Sequence, residues 1–331
     1  MTISSALNNA MTGLRAAGRA TQVVSSNLSN ALTQGYGARS LELSSQSRGG
    51  MGGVRVDGIS RNVDPILVSD RQLASADHAN QQTTSSFWAN LERLIGTPDQ
   101  AGALTQKIAG FESSLVTAAS RPDAPDRLNA AVTSARDLAN ALHEISDGIQ
   151  TQRTRADQAI SEQVTKLNDS LSQLQKLNSQ ITTAHSKGAD DASLRDYRQK
   201  IVDQISEIVP VKSVPRSNGA LALFTTGGSI LIDGTAAEIG FEPANLVAAG
   251  MSQSAGSLSG LTVNGIPVRT EADNGALRGG SLSAQFEIRD ELAPHAQEQV
   301  DAVARDLMER YEALAPTTPG GVPLRGLFTD N

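Results

Sequence analysis

The sequence contains no cysteine. Disulfides, iron–sulfur clusters, cysteine zinc sites and cysteine nucleophiles are therefore excluded together. Aromatic residues are only 3% of the 331 residues, with a single tryptophan. A core must then be built from Leu, Ile, Val and Ala, which suits helix seams better than a deep enzyme pocket. No apolar run approaches the roughly 18 residues of a membrane span, so no membrane partner is predicted. The N-terminus lacks the basic lead and apolar stretch of a cleaved signal peptide. It has the amphipathic, acid-free character of a transit peptide but too few arginines. The net charge of −7 argues against a nucleic-acid partner, which needs clustered Lys and Arg. Acid is absent before Glu42, where the only charges are Arg15, Arg19 and Arg39.

Catalytic constellations are also missing. His78, His143, His185 and His295 share no metal-ligand spacing. Gly49-Gly-Met-Gly-Gly has no lysine and no helix directly after it, so it reads as a loop and not a phosphate cradle. Asp123, Asp126, Asp190 and Asp191 fall at helix starts, where carboxylates complement the helix dipole. The sequence predicts no enzyme activity, no cofactor and no metal.

What is present begins with a heptad. Ile3, Leu7, Ala10, Leu14, Ala17, Thr21, Val24, Leu28 and Ala31 are spaced alternately by four and three. That period keeps one helix stripe facing a partner helix. The stripe is thin, with alanine and threonine in several of its places. Burial supplies most of a helix's stability, so this segment calls for a partner. It is expected to stop near Leu32, before the two glycines Gly35 and Gly37.

The remaining chain reads as mainly α with a β-rich insertion: an elongated antiparallel helical bundle with long coiled-coil-like helices, plus a small β module. Ala38-Arg-Ser-Leu-Glu-Leu is extended, Ser47-Arg-Gly-Gly-Met-Gly-Gly is a flexible loop, and Val54-Arg-Val-Asp-Gly-Ile alternates like a strand. Asp64 caps and Pro65 opens a helix that Gly96 ends. Trp88 within it is expected at a helix junction. Leu128, Ala131, Ala135, Leu138, Leu142 and Ile145, then Leu167, Leu171 and Leu174, mark one very long helix, from about residue 126 to 187. Such a helix is roughly 90 Å long and implies a rod-like bundle. A fray or kink is expected near Gly148, where the stripe turns polar. Ile201 and Ile205 belong to a helix folded back against it. Leu138, Leu142, Ile145, Leu167, Leu171, Leu174, Ile201 and Ile205 are the predicted bundle core. Strands with Asn-Gly, Gly-Gly and Asp-Gly turns follow Pro210. A helix returns after Ser281, bent at Pro294. The expected division is 1–45 as an N-terminal axial helix and motif, flexible when alone; 46–210 and 281–315 as the bundle; 211–280 as the β module; and 316–331 as the start of a truncated segment.

One set of residues carries a resemblance. Asn27 and Asn30, then Thr33, Gly35 and Tyr36, are similar to the pattern of the bacterial flagellar axial protein family of rod, hook and hook–filament junction subunits. Ser4-Ser-Ala-Leu-Asn-Asn-Ala-Met-Thr-Gly-Leu, Asp123-Ala-Pro-Asp-Arg, Leu194-Arg-Asp-Tyr-Arg-Gln-Lys-Ile-Val-Asp, Gly280-Ser281-Leu282 and Gly326-Leu-Phe resemble its junction members. The resemblance implies a structural subunit joining hook to filament, exported unfolded and assembled as a ring at the hook tip. The partners it implies are copies of itself, the hook protein, the second junction protein (hook-associated protein 3) and a flagellar export chaperone. Family members end in a heptad helix that pairs with the N-terminal one. This sequence stops before any such helix, the terminus that the family's chaperone recognises, so the chain is expected to be either a fragment or an unusual member. Alternatives are another hook or rod subunit, or a secreted coiled-coil adhesin or effector whose β module binds a ligand.

Overall fold

A helix of 62 residues, α4 (Pro125–Ser186), is the spine of the molecule. At 1.5 Å per residue it is about 93 Å long. The computed structural model describes residues 3–33, 35–46, 52–270, 275–313 and 328. Before α4 come α1 (Ile3–Ser29), β1 (Ala38–Ser45), β2 (Val54–Asn62), α2 (Pro65–Ile95) and α3 (Leu104–Ser120). After it come α5 (Ala192–Ile208), the short strands β3 (Val211–Pro215), β4 (Leu221–Thr225), β5 (Ile230–Asp233), β6 (Thr235–Ala236), β7 (Ile239–Gly240), β8 (Leu261–Val263) and β9 (Ile266–Val268), then α6 (Gly280–Glu287), a π-helical turn (Ile288–Leu292) and α7 (Ala293–Ala313). The result is a mainly α protein with small antiparallel sheets, as the sequence predicts.

Three apolar cores follow one another along α4. Near its start, Ala135 and Leu138 pack on Phe111 of α3, with Tyr311 of α7 and Phe328 against the same ring. In the middle, Leu142, Ile145, Ile149 and Ala156 meet Phe87 and Leu91 of α2 and Ala293, Ala296 and Val300 of α7. Towards its end, Leu167, Leu171 and Leu174 meet Ile201 and Ile205 of α5 and the inward residues Leu223, Ile232 and Leu261 of the β module. Successive stretches of the α4 stripe thus face different partners, which is why the helix needs no single coiled-coil mate.

Element ends follow local chemistry. Asp64 Oδ1 accepts from the backbone N–H of Ile66 and Leu67, at 2.8 and 3.4 Å, and Pro65 opens α2. Gly96, at φ 79°, closes it. The β strands form a four-stranded sheet, β3-β4-β5-β6, and a three-stranded one, β7-β8-β9. Asn264 and Gly265, both at positive φ, turn β8 into β9.

Several expectations need correction. Ala38–Ser45 pairs antiparallel with Val54–Asn62, so the hairpin crosses residue 45, where a division was expected. The glycine-rich stretch between the strands joins the two arms of one hairpin; residues 47–51 of it lie outside the described set. Residues 3–29 form the expected heptad helix, and its Ser5, Ala16 and Val23 are buried. The helix α4 runs through Gly148 unbroken. A Cβ there would meet Leu94 at 2.7 Å, so the glycine serves the close approach of α2. Phe87, not Trp88, fills the helix junction: Phe87 is 3% exposed and Trp88 44%. Pro294 sits just after the π-helical turn, where Ala293 N–H bonds to Ile288 carbonyl. A wider turn accommodates a residue with no N–H of its own. The expected segment 316–331 lies outside the described residues except for Phe328.

Candidate assembly site

The two faces of α1 differ in kind. Ser5, Ala16 and Val23 are buried, and Thr12 Oγ1 accepts from Val54 N–H at 3.3 Å, so this face of small side chains rests on the β1–β2 hairpin. The heptad residues lie on the other side. Ile3, Leu7, Ala10, Leu14, Ala17, Thr21, Val24, Leu28 and Ala31 are all exposed, Ile3 at 91% and Leu28 at 79%. Arg15 and Arg19 are the only charges on the helix and are also exposed.

The end of α1 is held by its own side chains. Asn27 Oδ1 accepts from Arg39 N–H at 3.0 Å and from the Tyr36 hydroxyl at 2.9 Å, while its Nδ2 donates to Arg39 carbonyl at 2.8 Å. One asparagine therefore joins helix end to strand start. Asn30 Nδ2 donates back to Ser26 carbonyl, and its Oδ1 accepts from Thr33. Gly35, at φ 80°, lies so near Lys200 of α5 that a Cβ would stand 2.7 Å from it. Asn27, Asn30, Thr33, Gly35 and Tyr36 thus build one turn.

That turn leads to Asp196 on α5. Its carboxylate accepts from Gly37 N–H at 3.0 Å, Arg39 at 2.9 Å and Arg61 Nε at 2.7 Å. The side chains of Arg39, Arg61 and Asp196 are only 11 to 17% exposed. Arg39 also lies over the Tyr36 ring, 5.0 Å from its centroid. Arg39 is one of the three charges before Glu42, and no local pattern in the sequence marks Asp196 or Arg61 as its partner. Asp196 does fall within the quoted Leu194 segment, but a lone Asp on a helix carries no local signal of burial.

A polar groove of about 910 Å³ opens beside Asp196 and its donors, between α1, the hairpin and the α4–α5 turn, with Arg19, Glu42, Asp57, His185 and Asp191 on its walls. Arg195 binds both oxygens of Asp191, at 2.7 and 2.8 Å, which holds that carboxyl below its usual range. Nearby, burial pushes the Arg198 guanidinium down to about 10, with Arg195 adding repulsion. Arg198 donates to Asn178 and to Gly219 carbonyl, tying α5 to α4 and to the β module.

The predicted bundle core residues are buried in separate clusters. Leu138 lies in the first core, Leu142 and Ile145 in the second, and Leu167, Leu171, Leu174, Ile201 and Ile205 in the third. The four histidines are each exposed. No helix among the described residues is long and apolar enough to cross a membrane.

Residues 72–315 match the model of the flagellar hook-associated protein FlgK helical domain. The chain belongs to the FlgK family. Proteins of this family are structural components of the flagellum, not enzymes. Over 244 residues the chain is 27% identical to flagellar hook-associated protein 1 of Salmonella typhimurium, covering 71% of this chain and 44% of that protein. Against flagellar hook-associated protein 1 of Bacillus subtilis it is 23% identical, covering 69% and 47%. The chain thus spans less than half the length of these FlgK relatives. The fold is shared with the flagellar hook junction protein FlgK from Burkholderia pseudomallei, at a TM-score of 0.59 and 23% identity, over 77% of this chain and 46% of that one. The FlgK helical-domain match contains Asp196, while α1 and the hairpin precede it.

Proposed function

We propose that this chain is a structural subunit of the hook–filament junction, exported unfolded and assembled as a ring at the hook tip. One observation carries the reading. In a chain of the FlgK family, α1 turns its heptad-seam residues from Ile3 to Leu28 outward while its opposite face is already occupied by the hairpin. Ile3, Leu7, Leu14, Val24 and Leu28 are large aliphatic side chains left in water. Burying each one stabilises by about 1.5–3 kcal/mol, so a helical neighbour supplying the other half of the seam is strongly favoured. On this reading α1 is the axial element, the helices around α4 form the outward bundle, and the β module projects from it. The partners are copies of the chain, the hook protein and the second junction protein. A seam that is weak alone suits a chain that passes a narrow channel unfolded, and the lack of cysteine avoids disulfide trapping outside the cell.

Deletion of the gene from its native cell tests the reading. Hooks that carry no filament are expected. Normal filaments on the deleted cell would point to the adhesin or effector alternative.

A further inference from the structure

We infer that Asp196 is a positioning residue: a single-carboxylate clasp that sets the angle at which α1 presents its exposed seam. The inference rests on the assembly reading for its purpose but on separate observations for its physics. Residues 3–62 contribute nothing to the three apolar cores of the described structure. Their attachment to the bundle is instead polar and narrow. Gly37 N–H, Arg39 and Arg61 all converge on Asp196, and Arg39 adds a bond to Ser193.

The donors come from both ends of the hairpin. Arg39 lies in β1 and Arg61 opposite it in β2, paired in register. Gripping both strands at their base fixes the hairpin's direction, and α1 follows because it rests on the hairpin and is tied to Arg39 through Asn27. Gly37 makes the approach close: a Cβ there would run into Arg61 and Val63. Two guanidiniums share one carboxylate, so loss of its charge leaves two cations facing each other in a poorly solvated place. The chain connection through Val63 and Asp64 then remains as a hinge, with the hairpin and α1 still folded on each other.

The full chain tests this directly, since it has no native cysteine to remove. Spin labels at exposed Asn8→Cys and Ser172→Cys report α1 against α4; a second pair at Asn8→Cys and Glu42→Cys reports within the N-terminal unit. Electron–electron double resonance on the dilute monomer should give one narrow distance distribution for each pair. Asp196→Asn should broaden the first distribution several-fold and leave the second narrow. If D196N loses its helical signal, Arg61→Gln keeps the Asp196–Arg39 pair and should broaden the first distribution to a smaller extent. An unchanged first distribution in both variants overturns the inference. So does a broad one in the unsubstituted chain, or broadening of both pairs together. The measurement reads the free monomer, so a chain that proves not to belong at the junction leaves its outcome untouched.

Discussion

Arg289 and Asp157, 132 positions apart, form an ion pair in which both side chains are withdrawn from water, with Nη1 2.7 Å from Oδ1. Arg289 also holds both oxygens of Asp290 and the carbonyl of Ser259, and it lies against the rings of Phe286 and Phe241. Arg153 extends the network. Its guanidinium donates to the carbonyls of Arg289, Ala248, Ala249 and Met251. Asp157 itself accepts from Ala244 N–H. The irregular stretch from residue 241 to 260 is thereby stitched to α4 by charges. Asp157→Ala leaves Arg289 with Asp290 as its remaining carboxylate and takes the acceptor from Ala244 N–H, and should cost about 1–3 kcal/mol. The midpoint of urea unfolding measures it. Asp157→Asn keeps an acceptor for Ala244 N–H and removes only the charge, and should lose less. A loss near zero in Asp157→Asn would show that the carboxylate's charge is not what the site requires.

Asn178 occupies an apolar position of the α4 stripe but serves the β module. Its Nδ2 donates to Leu221 carbonyl and its Oδ1 accepts from Leu221 N–H, so the side chain acts as a strand partner for the start of β4. It also receives Arg198. Asn178→Leu fits the stripe better yet leaves buried partners unsatisfied, and should destabilise by about 1–3 kcal/mol. Amide exchange checks the location: protection at Leu221 should fall more than protection in α7.

Much of this was legible beforehand. The stripe from Ala131 to Leu174, the Asp64-Pro65 start and the Asn264-Gly265 turn rest on local chemistry, which sequence displays directly. The buried charges did not reveal themselves, because Arg153, Asp157 and Arg289 look like solvated helix residues until the 241–260 stretch is seen lying over them. The polar interruption after Gly148 was visible but was read as a weak point, whereas it is where α4 receives that stretch. For the same reason Asp196 was hidden, since its partners Arg39 and Arg61 lie more than 130 positions away. The hairpin was concealed by a glycine-rich joint that resembles a linker.

Asp191 and Arg195 contribute a stability that depends on acid pH. Its bidentate bond from Arg195 lowers its pKa in the folded chain beneath the ordinary 3.8. A depressed carboxyl contributes stability above its ordinary value and loses it as pH falls through the folded value. Asp191→Asn should therefore melt earlier than the parent at neutral pH, and the gap should close progressively below 3.8. Thermal melts across that range provide the check. A gap that stays constant into strong acid would mean that the pair contributes through shape and not charge.

The central claim is that the outward seam of α1 belongs in the wall of the junction. Electron microscopy of native cells carrying a labelled copy tests it most directly. Label confined to the boundary between hook and filament is the predicted result, and it should vanish when Leu7, Leu14 and Leu28 are replaced by Asp. Label distributed along the whole hook or filament, or retained at the boundary by the triple substitution, contradicts the account.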